Sequence, residues 1–174
     1  MRKMLLALSA LMLGGASATE VAIPNTQVSY EVTRDPITDR NTSSIYIDAQ
    51  AGDTYVEFDC RKGLPVFYLF TEDQLMTQDE YDEEAWPDLT YRVDNQTART
   101  IPGLSLEQDE DPDDETHLMS LVVEDKNDAL IFTAFKNAQT RVALRVTRAN
   151  GRELTYVFAV KGFAQALKAV NNCK

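Results

Sequence analysis

The C-terminal stretch Arg141–Lys174, RVALRVTRANGRELTYVFAVKGFAQALKAVNNCK, carries the clearest fold signals in the chain. Two runs of alternating apolar residues flank the dipeptide Asn150-Gly151: Val142, Leu144 and Val146 before it, and Leu154, Tyr156 and Phe158 after it. Asn-Gly favours a two-residue type I′ turn, because both central residues of that turn need a positive φ. The stretch therefore predicts a β-hairpin.

An amphipathic helix is predicted directly after this hairpin. Its apolar residues recur with the i, i+3, i+4, i+7 spacing of one helix face, and they are Phe163, Ala166, Leu167, Val170 and Cys173. The helix is expected to end on Cys173, with the thiol directed toward the core like the rest of the stripe.

The N-terminus has the pattern of a secretory signal peptide. Two basic residues precede the apolar run Met4–Leu13, and Ala16-Ser17-Ala18 is the small-x-small motif of a cleavage site. The segment is too short for a stable membrane span. We expect cleavage after Ala18, a single mature domain over residues 19–174 with no membrane span, and a periplasmic or secreted location.

The chain has two cysteines, and an oxidising compartment favours a bond between them. In the strand pattern Thr54–Cys60, the side chains of Val56, Phe58 and Cys60 share one apolar face. Both Cys60 and Cys173 therefore lie on stripes that face the core, which predicts a disulfide between helix and sheet. Two buried reduced thiols are the alternative, and a metal site is less favoured because the chain has one histidine and no clustered soft ligands.

The mature chain is strongly acidic. Without Arg2 and Lys3 it keeps 15 basic residues against 28 acidic ones, a formal charge of −13. Phosphate backbones and anionic lipid surfaces repel such a chain, which argues against nucleic-acid binding. The charge favours solubility, and it also suits cations or a basic partner.

The rest of the chain is rich in strand patterns. Alternating or apolar runs occur at Val28–Val32, Ser44–Asp48, Leu64–Phe70 and Asp88–Asp94. Leu64–Phe70 is almost wholly apolar, which is typical of a strand buried on both faces. Leu118–Val123 and Leu130–Phe135 are interpreted as another hairpin. About eight strands at short spacing predict a mostly β fold, an antiparallel β-sandwich or partly open barrel with the C-terminal α-helix packed on it.

Two acidic segments interrupt these strands. The first, Thr71–Pro87, is expected to be a long loop or a short helix, and it contains Tyr81 and Trp86. Aromatic side chains rimmed by carboxylates can anchor a protein partner, so Tyr81 and Trp86 are candidate partner-binding residues. The alternative is that Trp86 packs over the edge of the sandwich.

The second acidic segment, Glu107–Glu115, is a candidate cation site. Ca²⁺ takes six to eight hard oxygen ligands, and the segment offers Asp109, Asp111, Asp113, Asp114 and Glu115. It is not an EF-hand loop, because the required glycine is missing and Pro112 interrupts the run. A solvated run of charge and a docking loop for a basic partner are the alternatives. Beyond this possible Ca²⁺ no cofactor is predicted.

Residues that could carry catalysis are few. His117 is the single histidine, and the sequence has no G-x-S-x-G motif to hold a serine nucleophile. Glycosidase chemistry needs two carboxylates at a set separation, and nothing in the sequence singles out such a pair. We therefore predict no catalytic residues and no enzymatic activity.

The order of features resembles a family of small exported bacterial proteins that includes the type VI secretion accessory protein VasI. The resemblance is carried by Asp35-Pro36-Ile37-Thr38-Asp39, Cys60-Arg61 with the apolar strand after it, Tyr91-Arg92-Val93-Asp94, and Gly162-Phe163 with Ala166-Leu167 and Cys173. The chain departs from the family in its two acidic insertions and in lacking a tryptophan ahead of residue 35. The resemblance implies a non-catalytic extracytoplasmic β-domain whose helix is disulfide-linked to the sheet.

The function expected from these observations is that of a non-catalytic binding or accessory protein of the bacterial envelope, which contacts a protein partner. Association with a secretion system is a further expectation, from the resemblance alone. Two alternatives are a Ca²⁺-dependent structural protein of the cell surface and a hydrolase built on carboxylates.

Overall fold

The computed structural model describes residues 19–61, 64–106 and 115–174. Over these residues the chain forms ten strands: β1 Val21–Ala22, β2 Val28–Glu31, β3 Ser44–Asp48, β4 Tyr55–Arg61, β5 Leu64–Phe70, β6 Asp88–Val93, β7 Arg99–Pro102, β8 Ser120–Val122, β9 Arg141–Thr147 and β10 Glu153–Ala159. The helices are α1 Gln78–Asp82, α2 Asp125–Asn137 and α3 Phe163–Ala169, with 3-10 turns at Thr116–Leu118 and Asn171–Cys173. The predicted signal peptide, residues 1–18, lies outside the described residues.

The strands form two antiparallel sheets. One has six strands in the order β1-β2-β3-β4-β5-β8, and the other has four in the order β10-β9-β6-β7. Isolated bridges pair Ala49 with Phe158 and Leu104 with Val122, so the sheets touch locally without closing into a barrel. The predicted antiparallel β-sandwich is therefore confirmed over the partly open barrel.

Phe58 on β4 lies at the centre of the aromatic core. Its ring centroid is 5.8 Å from that of Phe67 on β5, 5.1 Å from Phe135 and 5.5 Å from Phe132 on α2, and 5.6 Å from Phe163 on α3. Tilted and edge-on ring pairs of this kind each stabilise a core by about 0.5–1.5 kcal/mol beyond the area they bury. Helices α2 and α3 thus pack on the inner face of the six-stranded sheet.

The disulfide between Cys60 and Cys173 is present, with the two Cα atoms 4.7 Å apart. Cys173 is buried like the rest of the predicted stripe, but it lies in the 3-10 turn after α3, because the α-helix itself ends at Ala169. The bridge joins positions 113 residues apart. In the chain-entropy model a loop of this length stabilises the fold by about 4–5 kcal/mol.

The predicted hairpin of Leu118–Val123 and Leu130–Phe135 is wrong in its second half. Only Ser120–Val122 forms a strand, and Leu130–Phe135 lies inside the 13-residue helix α2. The buried residues of α2 are Asn127, Asp128, Ile131, Ala134 and Phe135, which follow the helical period. Because two members of this stripe are polar, the apolar residues alone do not show its helical spacing, and the short apolar run after Asp128 has the pattern of a strand.

Two further predictions are corrected. On β5, Phe67 and Leu69 are fully buried, whereas Tyr68 and Phe70 on the opposite face are half-exposed, so the strand is buried on one face only. The hairpin of β9 and β10 is confirmed, but Asn150 does not adopt a positive φ and Gly151 does, at 79°. Since Arg148 and Arg152 still pair, the connection is a three-residue loop with glycine in the left-handed position rather than a type I′ turn.

The segment ahead of β3, which we call the N-terminal arm, contains a turn at Asp35–Asp39. The Asp35 carboxylate accepts hydrogen bonds from the backbone N–H groups of Ile37, at 2.9 Å, and Thr38, at 2.7 Å. These donors hold the pKa of Asp35 below its usual value. The arm also contains β1, and β7 at Arg99–Pro102 has no counterpart among the predicted strands.

Candidate binding surface

The outer face of the six-stranded sheet is built from the residues that alternate with the core. On β4 the side chains of Val56, Phe58 and Cys60 are buried, while Tyr55 and Glu57 between them are half-exposed. Neighbouring strands follow the same alternation. The outward aromatic residues are Tyr46 on β3, Tyr55 on β4, and Tyr68 and Phe70 on β5.

Strand register brings these four rings together. Tyr55 lies opposite Phe70, and its ring stacks on that of Phe70 with the centroids 5.1 Å apart. Phe70 in turn stacks with Tyr68 at 5.9 Å, and Tyr55 meets the edge of Tyr46 at 6.4 Å. We call this continuous set of four rings, which crosses three central strands, the aromatic platform.

A carboxylate lies within the aromatic platform. Glu57 is directly opposite Tyr46 on one neighbouring strand and Tyr68 on the other. Its burial among these rings raises its pKa, and a hydrogen bond with Ser44 partly offsets that rise. The platform thus combines ring faces with a partly desolvated acid.

One cation already uses this surface. The guanidinium of Arg61 lies 5.8 Å from the ring centroid of Tyr68 and is paired with the carboxylate of Asp59. A cation over an aromatic face is attracted by the ring quadrupole, by about 0.5–1 kcal/mol at exposed sites. The hydrogen bond to Asp59 raises the pKa of Arg61, which keeps its charge fixed.

The outer face of the four-stranded sheet has a different composition. Thr90 and Thr100 share a hydrogen bond of 2.7 Å between their hydroxyls, and Arg145 pairs with Glu153 at 3.1 Å and bonds Thr155. A cavity of about 260 Å³ on this face is lined by two threonines, two arginines, two alanines, Tyr91 and Leu144. This face is polar and carries basic side chains, whereas the aromatic platform carries rings and acids.

The predicted partner-binding residues lie elsewhere, at a corner formed by α1. Tyr81 and Trp86 are brought together, edge to face at 5.3 Å, and both are half-buried against the core. His117 is buried, lies 4.6 Å from the Tyr81 ring, and its Nε2 is 3.1 Å from the Gln78 side-chain oxygen. The alternative interpretation, Trp86 packing at the edge of the sandwich, fits this arrangement, and a partner-binding role stays a prediction.

A capping box and an ion pair hold the same corner in place. The Thr77 hydroxyl and the Glu80 carboxylate form a reciprocal capping box at the start of α1. The Glu80 carboxylate also pairs with the buried guanidinium of Arg148 at 3.1 Å. The backbone N–H of Thr77 and the Arg148 charge lower the pKa of Glu80. The acids of this segment therefore serve partly to close its own helix.

The predicted cation site falls almost wholly outside the described residues. Asp109, Asp111, Asp113 and Asp114 lie there, and only Glu115 is described, as an exposed residue before the 3-10 turn. Within the described ranges no group of three or more His, Cys, Asp or Glu side chains is placed to hold a metal ion. The Ca²⁺ prediction stays a prediction.

Three surface cavities in the described parts of the chain are not lined by carboxylates. The first, of about 220 Å³, lies between β6, β7 and α2, the second is the cavity near Thr90, and the third, of about 300 Å³, lies near Asn25 and Lys161. A hydrolase built on two acids needs both in one concave site. These cavities give that alternative no support, and the expected absence of catalysis stays a prediction.

Asp94 is the acid with the most backbone donors around it. Its carboxylate accepts hydrogen bonds from the N–H groups of Gln139, Thr140 and Arg141 at 2.9–3.0 Å and from the Thr140 hydroxyl. These donors hold its pKa well below the usual range. Asp94 fastens the end of β6 to the start of β9, which is a structural task.

Comparison with protein-family models, with curated proteins and with solved structures finds no match to this chain. Across the described residues, no helix has the length and apolar character needed to cross a bilayer. The aromatic platform is therefore defined by the geometry of the chain itself. The sequence signal that points to the aromatic platform is the alternation of tyrosine with core residues in β3, β4 and β5.

Proposed function

We propose that this protein is a non-catalytic binding or accessory protein of the bacterial envelope, and that it contacts a protein partner through the aromatic platform. The observation that carries the proposal is the continuous set of half-exposed rings on the outer face of the sheet. A central strand whose outer face meets only water is expected to carry polar residues there. Large aromatic patches rimmed by polar groups mark interaction sites.

An extracytoplasmic location is part of the proposal. The Cys60–Cys173 disulfide supports it, because such bonds form and persist in oxidising compartments. The signal-peptide pattern of residues 1–18 supports it from the sequence. The resemblance to the family that includes VasI supports an accessory role, and association with a secretion system would follow from that resemblance alone.

The test is capture from envelope extracts with matched variants. The protein, exported with its own N-terminal segment and purified with the disulfide intact, is immobilised beside Tyr55→Ser and Thr155→Ala. Tyr55 lies in the aromatic platform, and Thr155 is exposed on the opposite sheet. We expect a specific protein that wild type and Thr155→Ala retain and that Tyr55→Ser loses, identified by mass spectrometry after cross-linking.

A third variant, Trp86→Leu, compares the two candidate surfaces. Capture that depends on Trp86 and is unaffected by Tyr55→Ser would move the contact to the α1 corner and refute the role of the aromatic platform. Capture that neither variant changes would refute both surfaces.

A further inference from the structure

Acidic side chains outnumber basic ones around the aromatic platform. The carboxylates that act electrostatically on Tyr46 are those of Glu57, Glu31 and Glu20. Asp48 lies directly opposite Tyr55, and Glu20 acts on it in turn. Five acids, counting Asp59 beside Arg61, therefore border four rings. Like charges at this density repel one another, and a bound cation would relieve the repulsion.

Arg61 shows how this surface receives a cation. Its guanidinium combines a ring face, that of Tyr68, with a carboxylate, that of Asp59. The same pair of features recurs two residues along the strand, where the rings of Tyr55 and Phe70 stack beside the acid Asp48. The geometry that holds one arginine is thus repeated next to it.

Guanidinium is the cation that matches both features. It is planar and weakly hydrated, it stacks on aromatic rings, and it donates paired hydrogen bonds to a carboxylate. An ammonium group is a compact, strongly hydrated point charge that lacks the planar contact. An uncharged partner would cover the rings and leave the carboxylates desolvated without compensation.

We propose that the aromatic platform recognises arginine side chains of a basic protein segment, with guanidinium groups lying on the Tyr46–Tyr55–Phe70 rings and bonded to the bordering carboxylates of Glu57 and Asp48. The inference rests on the proposed function, which it deepens by giving the partner its chemistry. Arg61 is then the intramolecular example of a contact that the partner makes several times.

The test measures direct binding of defined probes. A fluorescein-labelled tetra-arginine peptide is titrated with the purified protein at low salt and followed by fluorescence anisotropy. Tetra-citrulline is the uncharged probe of nearly the same shape, and tetra-lysine has the charge without the planar group. We expect tetra-arginine to bind more tightly than tetra-lysine, and tetra-citrulline to bind at least about tenfold more weakly than tetra-arginine, since charge-assisted hydrogen bonds are roughly twice as strong as neutral ones.

Matched variants separate the aromatic platform from general acidity. Glu57→Gln removes one charge from the platform at constant shape, and Tyr55→Leu removes a ring and keeps apolar bulk. The triple variant Asp82→Asn, Glu83→Gln, Glu84→Gln removes three exposed charges at the α1 corner. We expect Tyr55→Leu to weaken tetra-arginine binding by about two- to fivefold, the range of one exposed cation–π contact, and Glu57→Gln to weaken it by about tenfold or more, as for one lost hydrogen bond to a charged group. The triple variant should change it less than twofold.

Three results would overturn the inference. If tetra-citrulline binds as tightly as tetra-arginine, the charge of the probe plays no part. If the triple variant loses as much affinity for tetra-arginine as Glu57→Gln does, the binding depends only on the net charge of the protein. Sedimentation could show that wild type forms dimers and that Glu57→Gln dissociates them. A second copy of the chain would then occupy the aromatic platform. The two proposals can fail separately: envelope capture that depends on Tyr55, without tetra-arginine binding, would keep the proposed function and refute the arginine inference.

Discussion

The two faces of strand β4 carry different tasks, although their residues alternate along one segment. The inner face places Phe58 among four other rings and Cys60 in the disulfide. The outer face places Tyr55 and Glu57 in a half-exposed aromatic platform. Because adjacent side chains of a strand point to opposite sides, a substitution at one residue can lower the stability of the fold, while a substitution at the next residue alters the outer surface. That separation is what the following substitutions test.

The largest expected effect is on the inner face, at the disulfide. Replacing both Cys60 and Cys173 with alanine should lower the free energy of unfolding by about 4–5 kcal/mol, because the unfolded chain regains the entropy of an open loop. Urea unfolding followed by tryptophan fluorescence measures the loss.

The control is wild type unfolded with and without a reductant. Reduction should reproduce the destabilisation in wild type and leave the double variant unchanged. A double variant as stable as oxidised wild type would mean that the bridge adds nothing to the inner face, and the contrast between the faces would lose its strongest support.

The second prediction concerns a buried carboxylate on the inner side, that of Asp128. Asp128 of α2 accepts a 2.9 Å hydrogen bond from the backbone N–H of Phe67 and is buried. Burial raises the pKa of Asp128 from 3.8 to about 6, with the backbone hydrogen bond opposing the rise and the charge of Asp125 adding to it. The folded state therefore holds this proton more tightly than the unfolded state between about pH 4 and pH 6.

The consequence for stability has a definite sign. The contribution of Asp128 is fully present below pH 4 and is lost as the pH rises through about 6. Asp128→Asn keeps an acceptor for Phe67 and removes the titration. Relative to this variant, wild type should lose on the order of 2–3 kcal/mol between pH 4 and pH 7, from about 1.4 kcal/mol per pKa unit.

The measurement is urea unfolding of both proteins across that range. Asp82→Asn, a change at an exposed acid of α1, is the control for the overall charge. If the difference between wild type and Asp128→Asn is independent of pH, Asp128 does not titrate in this window.

The smallest expected effect on stability is on the outer face. Tyr55→Ser should lower the free energy of unfolding by less than about 1–2 kcal/mol, since the side chain is half-exposed and loses mainly its stacking on Phe70. Phe58→Ala, three residues further and on the inner face, should lower it by about 3–5 kcal/mol through a cavity.

Thermal melting of the two variants side by side gives the ranking. A Tyr55→Ser loss as large as that of Phe58→Ala would show that the platform rings are part of the core. Binding results with Tyr55 variants would then have to be interpreted as effects on folding.

The strands were predictable where the alternation was clean. Val56, Phe58 and Cys60 fix the inward face of β4, and the apolar runs around Asn150-Gly151 locate β9 and β10. Helix α2 was not predictable in this way, because its buried stripe includes Asn127 and Asp128, which a search for apolar periodicity leaves out. A polar residue can occupy a core position when a backbone donor such as Phe67 N–H satisfies it.

The aromatic platform was missed for a different reason. Its tyrosines are visible as outward residues of each strand, but their contacts depend on register: Tyr55 meets Phe70, and Glu57 lies between two rings, only once β3, β4 and β5 are aligned. Tyr81 and Trp86 were predicted to bind a partner because acids surround them in the sequence. Part of that acidity, Glu80 above all, is used to cap α1 and to pair with Arg148.

The location of the aromatic platform also affects the conformational entropy that is lost when a partner binds. Its rings stand on β3, β4 and β5, each of which is paired with a neighbouring strand on both sides, β5 on its β8 side only along Tyr68–Phe70. Such strands open rarely, so their amide protons should be among the slowest in the protein to exchange with deuterium. A contact surface on a rigid scaffold requires little ordering when a partner arrives, and less of the interaction energy is lost to conformational entropy.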